Sequence, residues 1–583
     1  MSLALSFAIA LSPLIIILVG IAFFKQSGLR MGIIGWLVAV GLAVTYFRTD
    51  IWVALAGSAF GFLKSFGISI SVIATMYMIF LMKEVGALES VSSKIKKLVR
   101  GKELQALYIG IGFGSFLTSL GVVTPSLFPP LLLVMGFPPA QAVAIAVLGY
   151  NATTSFALLS IPITLPAELF HINLLEFTFK ITLFLPVVSV AISLAILWLV
   201  GGRESVKRGL VPGMIAGLVL ALSCVAFAAV DYYSGVEIIP VRVMGVFAGL
   251  ICMGSLQIYD RFFYKPKEAE TKGAKEETAK PEQTKDAARE REGSNSADEA
   301  DKKSILPKPA QQKPMMPLLT AISPWIILTI LAIVVSVPQI SVKLTDAPGT
   351  MEQIVFYKNG TVDNKTVSAQ IVDFNFLSVI YTWITISIVI SILFLRPSKK
   401  QLKSVTILWA KRSWAPFLAY SIYFSIAYVM AWSSCMEVAD RILVQSSEFN
   451  EYNMNFILGA GLAAAFGMGY IYVAGALGML GAVIGGSEAS SNVMFYRIQE
   501  KATADIGINT GGNSKEFMTI YGAHATAGGV ASAITPAKIN NAVVTINAGP
   551  EVETQIMRKH IVIVMLITIA IGIMTGIFVG LAI

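Results

Sequence analysis

Ten stretches of this chain are apolar over lengths that meet, or nearly meet, the requirement for crossing a bilayer, and no other property of the sequence restricts its fold as strongly. A span needs about 20 mainly apolar residues. The stretches run Leu3 to Phe24, Met31 to Phe47, Ile51 to Leu81, Leu174 to Val200, Leu210 to Val230, Ile238 to Ile258, Pro317 to Val337, Phe374 to Leu395, Trp414 to Trp432 and His560 to Ile583. Two denser, interrupted regions lie between them, Ala106 to Pro166 and Met454 to Ala548. By the same length rule the total is roughly 12 to 14 membrane elements. The expectation is an all-α polytopic protein, multi-pass in the cell (plasma) membrane. Composition agrees, with 55% of 583 residues hydrophobic and only 14% charged, against about 25% charged in ordinary soluble proteins. The first apolar segment has no basic amino-terminal flank and no small-residue cleavage site, so it reads as a retained span and not a signal peptide.

A net charge of +9 would suit nucleic acid, but the positions of the charges speak against that partner. Lys and Arg gather in Lys83 to Lys102, Arg203 to Arg208, Tyr264 to Lys313 and Arg396 to Arg412, the pattern of cytoplasmic loops. Two spans separate Arg208 from Tyr264, and two more separate Lys313 from Arg396, so the parity is consistent. The loop Gln339 to Asp373 then faces outward, and its Asn359-Gly-Thr361 and Asn364-Lys-Thr366 sequons suit that side. Lys94 to Arg100 and Lys399 to Arg412 read either as interfacial amphipathic helices or as plain orientation signals.

Residues 265 to 313 are rich in Lys, Glu, Ala, Gln and Pro and nearly free of aromatic and branched apolar side chains. Such a composition buries too little surface to fold. It divides the chain into a first membrane half (1–263), a disordered cytoplasmic linker (264–314) and a second membrane half (315–583). Cys224, Cys252 and Cys435 lie far apart without CxxC spacing, so neither a zinc site nor a disulfide framework follows.

The interruptions carry the chemistry. In the first half Phe113-Gly-Ser-Phe-Leu-Thr-Ser-Leu-Gly121 leads through Pro125, Pro129 and Pro130 to Asn151-Ala-Thr-Thr-Ser-Phe-Ala-Leu-Leu-Ser-Ile-Pro162. In the second, Gly485-Gly-Ser-Glu-Ala-Ser-Ser-Asn492 precedes His524-Ala-Thr-Ala-Gly-Gly-Val-Ala-Ser-Ala-Ile-Thr-Pro536. Both closing segments start on a polar residue, continue Ala-Thr through small residues, and stop at Ile-Pro or Ile-Thr-Pro. Matching interruptions in two halves point to a midplane site in a secondary transporter. A helix broken in lipid leaves amide and carbonyl groups unpaired, which is tolerable only where protein or a wet cavity covers them. Half-helix amino termini then aim N–H groups and partial positive charge at a common point, which suits a small organic anion. Small residues also serve plain helix packing, but their matched clustering favours a site.

Glu488 stands out, because an ionisable group at membrane depth costs roughly 2.5 to 3.5 kcal/mol on insertion scales. It either carries a proton or stays ionised and helps hold sodium; the structural alternative is an acid paired with a base. Hydrogen bonds to a substrate are expected from Asn151, Thr153, Thr154, Ser487, Ser490, Ser491, Asn492 and Thr526, with close backbone approach at Gly528 and Gly529. Lys538 either meets a carboxylate or snorkels to the interface. His524 either joins Glu488 in ion coupling or makes a helix contact.

The run Gly486-Ser-Glu-Ala-Ser-Ser-Asn492, continuing Val-Met-Phe-Tyr-Arg-Ile-Gln499 and ending at Asp505-Ile-Gly507, resembles the lactate permease family, whose members carry Gly-Ser-Asp-Thr-Ser-Ser-Asn before a similar helix. Ala525 to Pro536 is similar to the family's Asn-Thr-Thr-Gly-Gly stretch closing in Ile-Ser-Pro. In the first half Phe113-Gly-Ser-Phe-Leu117, Gly136-Phe137, Asn151 and Ile161-Pro-Ile163 fall in the family's order. The resemblance implies a proton-coupled symporter for L-lactate and related 2-hydroxy monocarboxylates such as glycolate, built from inverted repeats with broken helices and re-entrant hairpins. Three positions depart from the pattern. Thr118-Ser119 stands where the family has a glutamate, Ser532 stands on or near its lysine with Lys538 as the nearby replacement, and His524 stands at its asparagine.

The expected function is thus secondary transport of L-lactate or a related small 2-hydroxy monocarboxylate, coupled to protons. The alternative is sodium-coupled transport of a different small organic anion. The partners are the carboxylate, a proton or Na+, and membrane lipid; homo-oligomerisation stays open. An enzyme would need a metal or nucleophile constellation, yet the histidines are only 171, 524 and 560 and no His-Glu-x-x-His occurs. No cofactor or metal is expected. A channel would more naturally repeat a filter through oligomerisation.

Overall fold

The computed structural model describes residues 2–581 apart from 264–315 and the positions 23, 25, 122–123, 346, 348–350, 363–364, 378, 512–513 and 547. The linker read at 264–314 and the sequon at Asn364 therefore lie outside the described residues. Among those described, nine helices are long and apolar enough to cross a membrane, and shorter apolar helices accompany them at Ile51–Lys64, Ser323–Val335 and Ile380–Leu395. The chain is a polytopic helical membrane protein.

The first half comprises α1 (Leu3–Ala22), α2 (Gly28–Thr45), α3 (Ile51–Lys64), α4 (Phe66–Glu84), α5 (Ala87–Leu98), α6 (Lys102–Leu107), α7 (Gly114–Ser119), α8 (Thr124–Val134), α9 (Pro139–Leu148), α10 (Ile161–Phe170), α11 (Leu174–Thr182), α12 (Leu185–Ser234) and α13 (Val241–Phe262). The second half adds α14 (Ser323–Ser336), α15 (Ile380–Leu395), α16 (Lys399–Ala431), α17 (Met454–Phe466), α18 (Tyr470–Gly485), α19 (Glu488–Asp505), α20 (Lys515–Ala531), α21 (Pro536–Thr545) and α22 (Pro550–Gly580). Helix α12 is bent at Gly201 and Gly202, so its two arms match the two apolar stretches read from the sequence.

Three details depart from the sequence reading. The stretch from Ile51 to Leu81 is two helices parted at Ser65, whose hydroxyl bonds Phe62 O (2.7 Å) and Ser421 Oγ (2.8 Å). The basic segment 399–412 is the first part of the 33-residue α16, begun by a capping box at Ser398 and Gln401, and not a separate interfacial helix. Apolar period alone hides both, since a break needs one polar residue and a continuation needs none. The loop expected to face outward also holds short antiparallel strands, β1 (Met351–Tyr357) with β4 (Gln370–Asn375) and β2 (Gly360–Val362) with β3 (Lys365–Val367). A further pair follows α16, β5 (Cys435–Val438) with β6 (Ile442–Gln445).

Hydrogen bonds and ion pairs gather the basic segments on one face. Arg100 pairs with Asp260 at the end of α13, Arg208 with Glu103 (2.8 Å), and Gln401 donates to Glu84 O (3.1 Å). Met316, the first described residue after 264–315, donates to Ser90 (3.1 Å), so the described residues flanking that segment share this face. By the positive-inside tendency this is the face that the sequence leads one to expect on the cytoplasmic side. Helix α8 ends there, with Lys102 Nζ donating to Gly136 O (3.2 Å). Helices α10 and α19 run to the opposite face, where α20 begins.

Helices α2, α3 and α4 pack around α16. Gly61 permits the closest approach, for a Cβ there would strike the Phe424 carbonyl. Against this unit lies an apolar seam, Ile68, Val72 and Phe424 on one side and Ala489 and Val493 of α19 on the other, with Ile161 and Leu165 of α10.

Candidate functional site

Each half contains two neighbouring helices that are interrupted. In the first, a π-helical turn (Tyr108–Phe113) and α7 end at Leu120 and Gly121 (φ 88°) before α8 resumes. Next, α9 tightens into a 3-10 segment (Gly149–Phe156), and Leu158, Leu159 and Ser160 take left-handed backbone before α10. The freed amides of Leu158 and Leu159 donate to the carbonyls of Thr118 (2.9 Å) and Ser119 (2.8 Å), so the two first-half breaks satisfy each other. In the second half α18 breaks at Gly486 (φ 76°) before α19, and α20 tightens at Ser532–Ile534 and breaks at Thr535 before α21.

The break at Gly486 puts Glu488 at the amino terminus of α19. Ser487 caps that helix by accepting from the Ser490 amide (3.2 Å), and Ser490 Oγ stands 3.0 Å from Ser487 Oγ. Glu488 is only 5% exposed. Its Oε1 accepts from the hydroxyl of Ser155, across from the other half of the chain. Helix α20 passes between Glu488 and Thr154 at Gly529, where a Cβ would come 2.6 Å from Glu488 Oε2 and 2.7 Å from Thr154 Cβ. Gly528 is less confined, for a Cβ there would lie 3.3 Å from Gly478 O and 3.6 Å from Glu488 Cγ, the latter an ordinary contact. A side chain at Gly529, by contrast, would push the carboxyl away.

Lys538, on the first turn of α21, donates to Ser532 Oγ (2.9 Å) and holds its ammonium 5.7 Å from the ring centre of Tyr150. It is in electrostatic contact with Glu488. A lone buried carboxylate costs several kcal/mol, and a nearby cation with a hydroxyl donor offsets part of that.

Other candidates spend their polar atoms locally. Asn151 donates to Val147 O (2.8 Å) and Leu148 O (3.3 Å), Thr153 to Tyr150 O (3.3 Å) and Thr526 to Gly522 O (2.8 Å). His524 belongs to a chain of bonds. Tyr470 donates to Gln499 (2.5 Å), the Gln499 amide donates to His524 Nδ1 (2.8 Å), and His524 Nε2 reaches Ser491 Oγ (3.2 Å), which donates to Gly478 O (3.0 Å). Since Nδ1 accepts, Nε2 carries the hydrogen. Asn492 donates to Pro162 O (2.9 Å) at the start of α10, and its backbone carbonyl accepts from Tyr521 (2.9 Å).

Beside the breaks, six buried polar atoms make no hydrogen bond of usable geometry among the described residues: Ser115 Oγ, Ser119 Oγ, the Tyr150 hydroxyl, Thr154 Oγ1, Asn492 Oδ1 and Thr535 Oγ1. Each costs about 1 to 3 kcal/mol, so their concentration here calls for a ligand or a change of state. Thr154 adds strain, with φ of 42° in a non-glycine residue.

The structure therefore joins Glu488, Thr154, Gly528 and Gly529 directly, sets Lys538 within electrostatic reach and Asn492 one helical turn on, and gives Asn151, Thr153 and Thr526 intrahelical partners. Sequence reasoning missed Ser155, Tyr150, Ser115, Ser119 and Thr535. Ser155 closes the Asn151 to Ser155 polar run and was legible there. Tyr150 is not, because an aromatic residue in an apolar run reads as packing.

Residues 6–582 match the family profile described as L-lactate permease. The L-lactate permease of Bacillus subtilis is 24% identical over 526 residues, covering 87% of this chain and 85% of that protein. That of Salmonella typhi is 22% identical over 553 residues, covering 92% and 89%. The glycolate permease of Escherichia coli is 25% identical over 272 residues, 46% of this chain and 47% of that protein, so about half of that relative is matched. Among solved structures, the YdaH transporter of Alcanivorax borkumensis is similar at 12% identity and a TM-score of 0.33, covering 89% of this chain and 86% of its own. A score that low adds nothing to the arrangement described above.

Proposed function

The chain belongs to the L-lactate permease family, and from that premise we propose that it is a secondary transporter carrying L-lactate, or a related small 2-hydroxy monocarboxylate, together with a proton. The observation that carries this reading is the junction of Ser155 with Glu488, which ties a broken helix of one half to a broken helix of the other amid unpartnered hydroxyls. Lys538 and the Tyr150 hydroxyl receive the carboxylate, and Thr154 and Thr535 bond the 2-hydroxyl. Glu488 takes the coupling proton, while His524 keeps Ser491 and the start of α19 in position.

The two halves act as inverted repeats joined by the segment 264–314. Exchanging them turns the contact of α8 with α21 into that of α19 with α10, and both contacts occur. The counterparts also run to opposite faces, as inversion requires. In this reading the broken helices move as a body along the apolar seam of Ile68, Val72, Phe424, Ala489 and Val493, which offers no directional bonds to break.

The test is uptake of labelled L-lactate into proteoliposomes under an inward proton gradient, first without and then with sodium. Saturable, proton-driven uptake with counterflow supports the proposal. Drive by sodium alone reassigns the coupling ion, and non-saturating flux rejects a carrier.

A further inference from the structure

A buried acid and a buried base on α11 take no part in the site described above, and the protein satisfies neither. Lys180 is 2% exposed and Glu176 6%. Four residues apart, they share one face of the helix and feel each other's charge. They do not close on one another. Among the described residues Lys180 has no ion pair and no hydrogen bond, and Glu176 Oε1 is buried without a donor. Lys515 and Glu516, on the first turn of α20, also reach the pair electrostatically, but with opposite signs. An uncompensated buried charge is costly. What offsets it here has to bring an anion to Lys180 and a hydrogen-bond donor to Glu176.

The position of the pair fits a molecule on its way to Glu488. Helices α11 and α20 both start at the face opposite the basic segments, the outer one in the reading above. Lys180 stands beside Gly522 of α20, where a Cβ would come 3.5 Å from Lys180 Cβ. Gly522 precedes Gly529 by seven residues, about 10 Å along the helix. Between the two charges, Phe177 stacks on Tyr521 with ring centres 4.8 Å apart. We propose that Lys180 and Glu176 form a second, outer binding site for the 2-hydroxy monocarboxylate, two turns of α20 short of Glu488. The Lys180 ammonium takes the carboxylate, and Glu176 Oε1 accepts the hydrogen of the 2-hydroxyl on the adjacent carbon. This inference rests on the functional reading above, which supplies the substrate class. A zwitterionic amino acid also joins a carboxylate to a donor, and the experiment below separates it.

The test compares initial uptake of labelled L-lactate and labelled propionate, which lacks the 2-hydroxyl, in proteoliposomes of the wild type, Lys180→Met, Lys180→Arg and Glu176→Met. Losing a charge-assisted bond corresponds to about tenfold or more. Lys180→Met is expected to lower kcat/KM about tenfold for both acids, with the maximal rate within about threefold of wild type, and Lys180→Arg to restore most of the loss. Glu176→Met removes the hydroxyl acceptor and a negative charge, so the ratio of lactate to propionate kcat/KM falls about tenfold while propionate itself gains. If Lys180→Met does not fold, that change in ratio alone carries the test. Equal losses for the two acids in Glu176→Met, or activity restored by exchanging the two charges (Glu176→Lys with Lys180→Glu), would make the pair a structural one and overturn the proposal. Competition by unlabelled L-alanine in the wild type that disappears in Lys180→Met would assign the site to a zwitterion and overturn it too. A wild type without saturable lactate uptake overturns the functional reading itself, whereas normal wild-type uptake with unchanged variants overturns this site alone.

Discussion

The hydroxyl of Ser155 donates to the carboxyl of Glu488, 333 residues further along the chain. This bond joins the 3-10 segment of the first half to the start of α19 in the second, so its loss tests whether the junction takes part in transport. Ser155→Ala removes a donor to the ionised form, worth about 1.5 to 3 kcal/mol for a charged acceptor. The proton is then held more tightly and released more slowly. Net proton-driven uptake is expected to fall about tenfold or more, with the pH midpoint moved upward and lactate KM changed far less, as measured by initial rates across pH.

Lys538 and Tyr150 should separate substrate binding from coupling. Lys538→Gln removes a charge-assisted bond and Tyr150→Phe a neutral one, about 1.5 to 3 and 0.5 to 1.5 kcal/mol respectively. Lactate KM should rise more than tenfold for the first and about threefold to tenfold for the second. Because both are assigned to the carboxylate, propionate uptake should suffer equally. Thr154→Val, by contrast, should weaken lactate and spare propionate.

Gly529 faces Glu488 and Thr154 with no room for a methyl group, whereas Gly41 on α2 has open space around it. Gly529→Ala should lower stability by about 1 to 3 kcal/mol through overpacking and abolish uptake. Gly41→Ala should leave both intact. Thermal unfolding in detergent, followed by reconstituted uptake, checks the contrast.

His524 has both ring nitrogens engaged, by Gln499 and Ser491, in bonds separate from those of Glu488. His524→Asn should therefore cost about 1 to 3 kcal/mol of stability through lost buried bonds while proton drive persists. A gradient-driven rate that collapses while the melting temperature holds would return His524 to the coupling path.

Much of this was legible in the sequence for a physical reason. Lipid forces each span to satisfy its own backbone, so apolar length announces spans, and a Gly-Ser-Glu run inside one announces a break. Glu488, Gly529 and Thr154 could be named on that basis. What could not be read was partnership. Nothing local to Asn151 or Thr526 tells that its polar group is used within its own helix, and nothing near Tyr150 tells that its hydroxyl is left free. The joining of Ser155 to Glu488 depends on how two halves fold against each other. Ser65 and the Ser398 cap fall in the same class, because one hydroxyl decides whether an apolar run is broken or continued and the period does not register it.

The central claim is that Glu488 carries the coupling proton, and Glu488→Gln tests it most directly, since glutamine keeps the shape and a donor but cannot titrate. In proteoliposomes the variant should lose uphill, proton-driven lactate accumulation while retaining lactate counterflow, which moves no net charge or proton. Accumulation at the wild-type level would contradict the account.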